Sequence, residues 1–203
     1  MAMQSKSILD YVGNTPLVEI PRMSPKPGVR IFAKLEGHNP TGSIKDRVAK
    51  YLVQQAEARG ELKPGQTLVE ASTGNTGISL AMIGRVKGYR VRVVLPRGIV
   101  PSVPDILRLY GAEVTWCDPA GGMRGAIESA HRLAESEGCH ELGQFTERAN
   151  VDCHYETTGA EIAAALVKVV ACVRKPEHPH GEFRTADIAH AAARGQLAYY
   201  HLL

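Results

Sequence analysis

Strand-like and helix-like stretches take turns along most of this 203-residue chain, and glycine closes nearly every helix. That cadence constrains the fold more than any single motif. "TPLVEIP" and "VRIFAKLEG" read as two early strands, and the helix "SIKDRVAKYLVQQAEARG" follows, its Ile44, Val48, Tyr51, Leu52 and Ala56 recurring at helical spacing until Gly60. Then the pattern repeats: strand "QTLVEA", helix "ISLAMIGRVKG", strand "YRVRVVLP", short helix "VPDILRLYG", strand "AEVTWC", helix "MRGAIESAHRLAESEG" and strand "CHELGQF". Strand, helix, strand in this order requires right-handed crossovers. The predicted class is therefore α/β, a parallel sheet covered by helices on both faces. Ligands in such sheets bind beyond the carboxyl ends of the strands.

Composition narrows the function classes. With 44% hydrophobic and 22% charged residues the chain can bury an ordinary core in one or two domains. The net charge of +3 comes from 24 basic and 21 acidic residues scattered along the chain, without a run of like charge, so neither nucleic acid nor an anionic membrane is indicated. Cys117, Cys139, Cys153 and Cys172 form no CxxC pair and read as packing residues of a reduced, cytoplasmic protein. No apolar stretch approaches the roughly 20 residues that a membrane helix needs.

Two stretches lie where ligands are expected. "NPTGSIKDR" is a tight turn entering a helix, read here as an N-cap at Ser43 with Asp46 completing a capping box, which puts Lys45 in the first turn. The helix dipole there disfavours a protonated amine by roughly 0.3–1 kcal/mol. A neutral lysine amine is what Schiff-base chemistry requires. "EASTGNTGIS" follows a strand and opens a helix, so its backbone N–H groups converge on an anion, with Ser72, Thr73, Asn75 and Thr76 adding short polar side chains. A plain strand-to-helix turn rich in capping residues fits the composition equally well. There is no GxxxxGK[ST] and no GxGxxG, so neither a nucleoside triphosphate nor a dinucleotide is indicated.

"GNTPLVEI", "AKLEGHNPTGSIKDR", "LVEASTGNTGISLAM", "GMRGAI" and "QFTERANVDCHYETTGAEI" resemble, in order and spacing, the cysteine synthases (O-acetylserine sulfhydrylases) of the tryptophan-synthase-β-like pyridoxal phosphate enzymes. The likeness runs from about Ile8 to Glu161. It implies fold type II of the pyridoxal phosphate enzymes, the cofactor pyridoxal 5'-phosphate, and Lys45 as the residue that holds the cofactor aldehyde and later moves the substrate proton. Asn75 would bond the cofactor's phenolic oxygen. Ser72, Thr73, Gly74, Thr76 and Gln144 would hold the amino-acid carboxylate. The activity implied is β-replacement, L-cysteine from O-acetylserine and sulfide, with no metal. A homodimer is implied, and serine acetyltransferase as a further partner. A serine or threonine dehydratase would share Lys45 and the sheet, and a non-catalytic remnant that binds a partner is the third reading.

Departures begin at "RGIVPSVPDILRLYG", whose Pro101 and Pro104 shorten a helix. After Glu161 the family's phosphate-cradling loop, further strands and late Ser or Thr at the pyridine nitrogen do not follow, so the larger C-terminal domain reads as truncated. The expected division is 1–38, strands belonging to the larger domain; 39–150, the smaller α/β domain; and 151–203, a remnant of the larger domain with a divergent tail. His178 and His180 in "HPHGE" read as an exposed loop rather than metal ligands.

Overall fold

The computed structural model describes residues 6–24, 26–27 and 29–173, with side chains as far as Leu166. His178, His180 and the Cys172 side chain lie outside the described residues. Strands β1 (Leu17–Glu19) and β2 (Phe32–Lys34) pair antiparallel with Leu17 opposite Lys34. Helix α1 (Lys45–Ala58) leads into β3 (Thr67–Ala71), α2 (Asn75–Lys87), β4 (Arg90–Leu95), α3 (Ser102–Leu109), β5 (Glu113–Trp116), α4 (Gly122–Glu137) and β6 (His140–Glu141). The last four strands form one sheet in the order β5-β4-β3-β6, every neighbour parallel. A short α5 (Ala149–Cys153) and α6 (Ala160–Val173) follow, joined by a π-helical turn over His154–Gly159.

The alternation of β3 shows how the sheet is covered. Leu68 packs with Val48, Leu52, Leu80, Ile83 and Val93, which places α1 and α2 on its face, whereas Val69 and Ala71 pack with Val94, Cys117, Ala126 and Ala130 beneath α4. Leu68, Val69, Val93, Val94 and Leu95 are all fully buried. Strands buried on both faces read as continuous apolar runs, as in "VVL" at the end of β4, where Val93, Val94 and Leu95 carry no polar alternation.

Close approach of α2 to β4 depends on two glycines. A Cβ on Gly77 would stand 2.8 Å from Val93 Cγ1, and one on Gly84 would stand 2.2 Å from Val91 Cγ2. Both are closer than side-chain atoms can come. Gly88 then ends the helix in the left-handed conformation at φ +81°.

The strand order reverses at β3, whose following connection runs through α2 to β4 on one side while β6 arrives on the other. The crevice beyond Ala71 and Glu141, at the carboxyl ends of β3 and β6, is thus the switch point at which such sheets bind ligands. The "STGNTG" loop and Gln144 both emerge there.

Candidate active site

The capping box expected at the start of α1 is not formed. The helix begins at Lys45 after an Ile44 in helical conformation, so Lys45 is its first residue. Asp46 is fully buried and turned away from Ser43: it accepts from the Thr41 backbone N–H at 2.7 Å, from the Thr41 hydroxyl, and from Ser79 Oγ at 2.5 Å. Ser43 Oγ instead accepts from the Lys45 N–H at 3.2 Å. A carboxylate three residues on is drawn off because two hydroxyls and a backbone donor outcompete one N–H. Ser79 lies one turn into α2, so this carboxylate ties the first turns of α1 and α2 together. Their positive ends lie close to one another.

Lysine side chains near this end differ sharply. Among the described residues Lys45 Nζ, half-buried, has no hydrogen-bond or ion-pair partner. Lys34 Nζ is held by Thr15 O at 2.5 Å, Thr15 Oγ1 at 2.7 Å and Glu161 at 2.5 Å, and Lys50 Nζ donates to Leu9 O at 2.8 Å. The one unengaged amine of the three is that of Lys45.

In the second stretch α2 starts at Asn75, three residues before the apolar run suggested, so the "STG" turn alone is loop. Ser72, 3% exposed, spends its hydroxyl on the Gly74 and Gly77 N–H groups, both at 3.1 Å. It shapes the turn. Thr73 and Asn75 are exposed and Gly74 half-buried, presenting the end of α2 outward. Thr76 donates to Gln144 Oε1 at 2.7 Å, and Gln144 Nε2 donates inward to Ala71 O at 2.9 Å. The structure brings Ser72, Thr73, Gly74, Asn75, Thr76 and Gln144 together, with Thr76 and Gln144 bonded to each other.

Sequence alone does not single out His154 or Glu70 at this end, and Cys153 reads there as a packing residue. His154 accepts or donates through Nδ1 with Thr158 Oγ1 at 3.1 Å; burial, reinforced by the charges of Lys45 and Arg47, holds its pKa down at about 4, so it is neutral at pH 7. Cys153 is buried beside it, and burial pushes its thiol up to about 11. It stays protonated and packs. Glu70, 1% exposed on β3, is pushed up to about 7, chiefly by burial. The signal for Glu70 was available: a carboxylate inside the apolar run "TLVEA" has to be explained. No local signal marks His154.

A cavity of about 340 Å³ lies elsewhere, lined by Arg47, Lys50, Tyr51, Gln54, Glu156 and Glu161 among others. None of the predicted ligand-binding residues lines it.

The sequence pattern of the family "Pyridoxal-phosphate dependent enzyme" matches residues 8–176. The chain belongs to that family. Cysteine synthase B of Escherichia coli (strain K12) is 46% identical over 151 residues, 74% of this chain and 50% of the relative; cysteine synthase B of Pseudomonas syringae pv. syringae is 44% identical over 163 residues, 80% of this chain and 96% of the relative. The chain thus spans about half the length of the first of these and nearly all of the second. Among solved structures, a cysteine synthase from Entamoeba histolytica superposes with TM-score 0.75 at 36% identity, covering 82% of this chain and 51% of that one, and an O-ureido-L-serine synthase with TM-score 0.76 at 40% identity, covering 80% and 51%. The fold is that of the type II pyridoxal phosphate enzymes. Pyridoxal phosphate is the family's cofactor, and the donor set described above fits one end of it: an unengaged primary amine for an aldehyde, and a helix N-terminus for negative charge. Among the described residues no helix is long and apolar enough to cross a membrane, and no cluster of three or more His, Cys, Asp or Glu is placed to hold a metal.

Proposed function

We propose that this chain works as a cysteine synthase, replacing the β-acetoxy group of O-acetylserine by sulfide. The observation that carries the reading is the unengaged amine of Lys45 at the first residue of α1, beside the N-terminus of α2. Pyridoxal phosphate, when bound, supplies reversible attachment of the amino acid and a sink for its electrons. Lys45 is the residue that would hold the cofactor aldehyde, and in unprotonated form it would take the proton from the substrate Cα and hold it at Nζ. Asn75 would donate to the cofactor's ring oxygen. The turn of Ser72, Thr73 and Gly74, with Thr76 and Gln144, would hold the substrate carboxylate and keep the β-carbon aimed at the incoming sulfide. His154, half-buried near Lys45, is neutral at pH 7 and so adds no positive charge beside that amine.

The same reading assigns 1–38 and 151–203 to one unit and 39–150 to the other. Glu161 bonds both Lys34 and the Asn14 N–H across more than a hundred residues of sequence, in keeping with that grouping, and through Arg47 it also joins the two units. The partners we propose are the amino-acid substrate, sulfide and a second copy of the chain.

The test is chemical. After incubation with pyridoxal phosphate and borohydride reduction, peptide mass spectrometry is expected to find the pyridoxyl adduct on Lys45 and to lose it in Lys45→Ala. An adduct on Lys34 or Lys50 would overturn the assignment.

A further inference from the structure

Glu70 is a buried carboxylate at this end that the reaction does not use and, unlike the fully bonded Asp46, it keeps an oxygen without a hydrogen-bond partner. It shares the α1–α2 face of β3 with Leu68 and is 1% exposed. Its Oε2 has no hydrogen-bond partner, and its Oε1 accepts from Gln144 Nε2 at 3.4 Å. The same Nε2 donates to Ala71 O, and Gln144 Oε1 receives the Thr76 hydroxyl at 2.7 Å. Two of the side chains proposed for the substrate carboxylate, Thr76 and Gln144, are therefore closed on one another, with the amide donor of Gln144 facing the sheet. A carboxylate arriving at α2 has to draw that amide away. Glu70 then loses the side-chain donor that stabilises its charge, and a second negative charge comes near it; each change favours the protonated form.

We propose that Glu70 is a proton-linked positioning residue: it holds the Gln144 amide against β3, and when a substrate carboxylate takes that amide, Glu70 takes up a proton from solvent. The proposal rests on the reading of Thr76 and Gln144 as carboxylate ligands.

The surrounding charges are compatible with this. Glu141 on β6 adds repulsion and is itself bound to His131 of α4 at 2.5 Å. From α1, Asp46 is spent on Thr41 and Ser79, and Arg47 on Glu36 and Glu161; from α5, Asp152 faces Arg148; and the first turn of α2 contains no acidic residue. Burial first, opposed by the Gln144 and Gly143 backbone N–H groups, leaves Glu70 titrating at about 7, where both forms are populated in water.

Three measurements decide it. In the cofactor-free chain, the side-chain ¹⁵N amide resonances of Gln144 are expected to shift with a midpoint near 7, and to lose that transition in Glu70→Gln. In the chain loaded with pyridoxal phosphate, the absorbance change on adding L-serine gives an apparent affinity, and the ratio of wild type to Glu70→Gln cancels the titration of the serine amine. That ratio is expected to rise as pH falls from 8 to 6, by up to tenfold per unit for one linked proton. Calorimetry of serine binding in two buffers of different ionisation enthalpy gives the net proton uptake, and the difference between wild type and Glu70→Gln is expected to be close to one proton near pH 7. A Gln144 amide indifferent to Glu70, or a ratio flat with pH, would overturn the proposal. Should serine bind to neither protein, the carboxylate-site reading fails, and the amide resonances alone still judge whether Glu70 governs Gln144.

Discussion

The four-stranded unit and the β1–β2 pair are held by different forces. In the first, fully buried Leu, Val and Ile side chains from β3, β4, α1 and α2 interlock, each worth about 1.5–3 kcal/mol of burial. In the second, strands of three residues contribute no fully buried side chain, and the pair is instead fastened through Arg47. That guanidinium, its side chain 2% exposed, grips Glu36 at 2.7 and 2.9 Å and Glu161 at 2.6 and 2.8 Å, while Lys34 and the Asn14 N–H close on Glu161 from the other side. Apolar packing does not titrate and is not weakened by ionic screening. A buried ionic knot does titrate, so the N-terminal segment and α6 have a weakness that the sheet does not share.

The largest expected effect comes from cutting that knot. Arg47→Ala leaves Glu36 and Glu161 facing each other without their shared cation, and should lower stability in urea unfolding by about 3–5 kcal/mol, as for other broken buried pairs. Leu80→Ala, a cavity in the apolar core, should cost about 2–5 kcal/mol. The two are separable by acid. Burial alone would raise Glu161, but the hydrogen bonds from Arg47 and Lys34 outweigh it and hold its pKa at about 2, below the ordinary 4.5. A depressed carboxylate stabilises above its unfolded pKa, and that stabilisation drains away as pH falls from about 4.5 to 2. The gap between wild type and Arg47→Ala should narrow across that window while the Leu80→Ala gap stays constant; equal pH dependence for both would dissolve the contrast drawn here. At the small end, Arg124 and Glu128 form an exposed pair on α4 with Arg124 90% exposed, and Arg124→Ala should change stability by less than about 0.5 kcal/mol.

The same division explains what could be read in advance. The β3-α2-β4-α3-β5-α4 series was legible because strand and helix each leave a local period, and Gly60, Gly88 and Gly138 mark where helices stop. The "STGNTG" stretch was legible as the turn from β3 into α2 for the same local reason. Asp46 was misread because its partners, Thr41 and Ser79, lie on two elements and a capping rule sees only the near one. Arg47 looks in sequence like any helical surface cation, and nothing nearby announces that residues 11 behind it and 114 ahead will enclose it. Glu70 and the turn over His154–Gly159 likewise acquire meaning only from chain segments far away.

The two glycines of α2 have a mechanical consequence. Gly77 and Gly84 are seven residues apart, about 10.5 Å along the axis, and both rest on valines of β4. They act as a pivot and a tail rest. If the tail rest at Gly84 is displaced by about 1 Å, the helix tilts by roughly 5°, but Asn75 stands only two residues, about 3 Å, beyond the pivot and moves by about 0.3 Å. Errors in the sheet's far half are thus scaled down more than threefold before they reach the N-terminal tip of the helix, whereas a Cβ at Gly77 would move the pivot itself and pass its whole displacement to that tip.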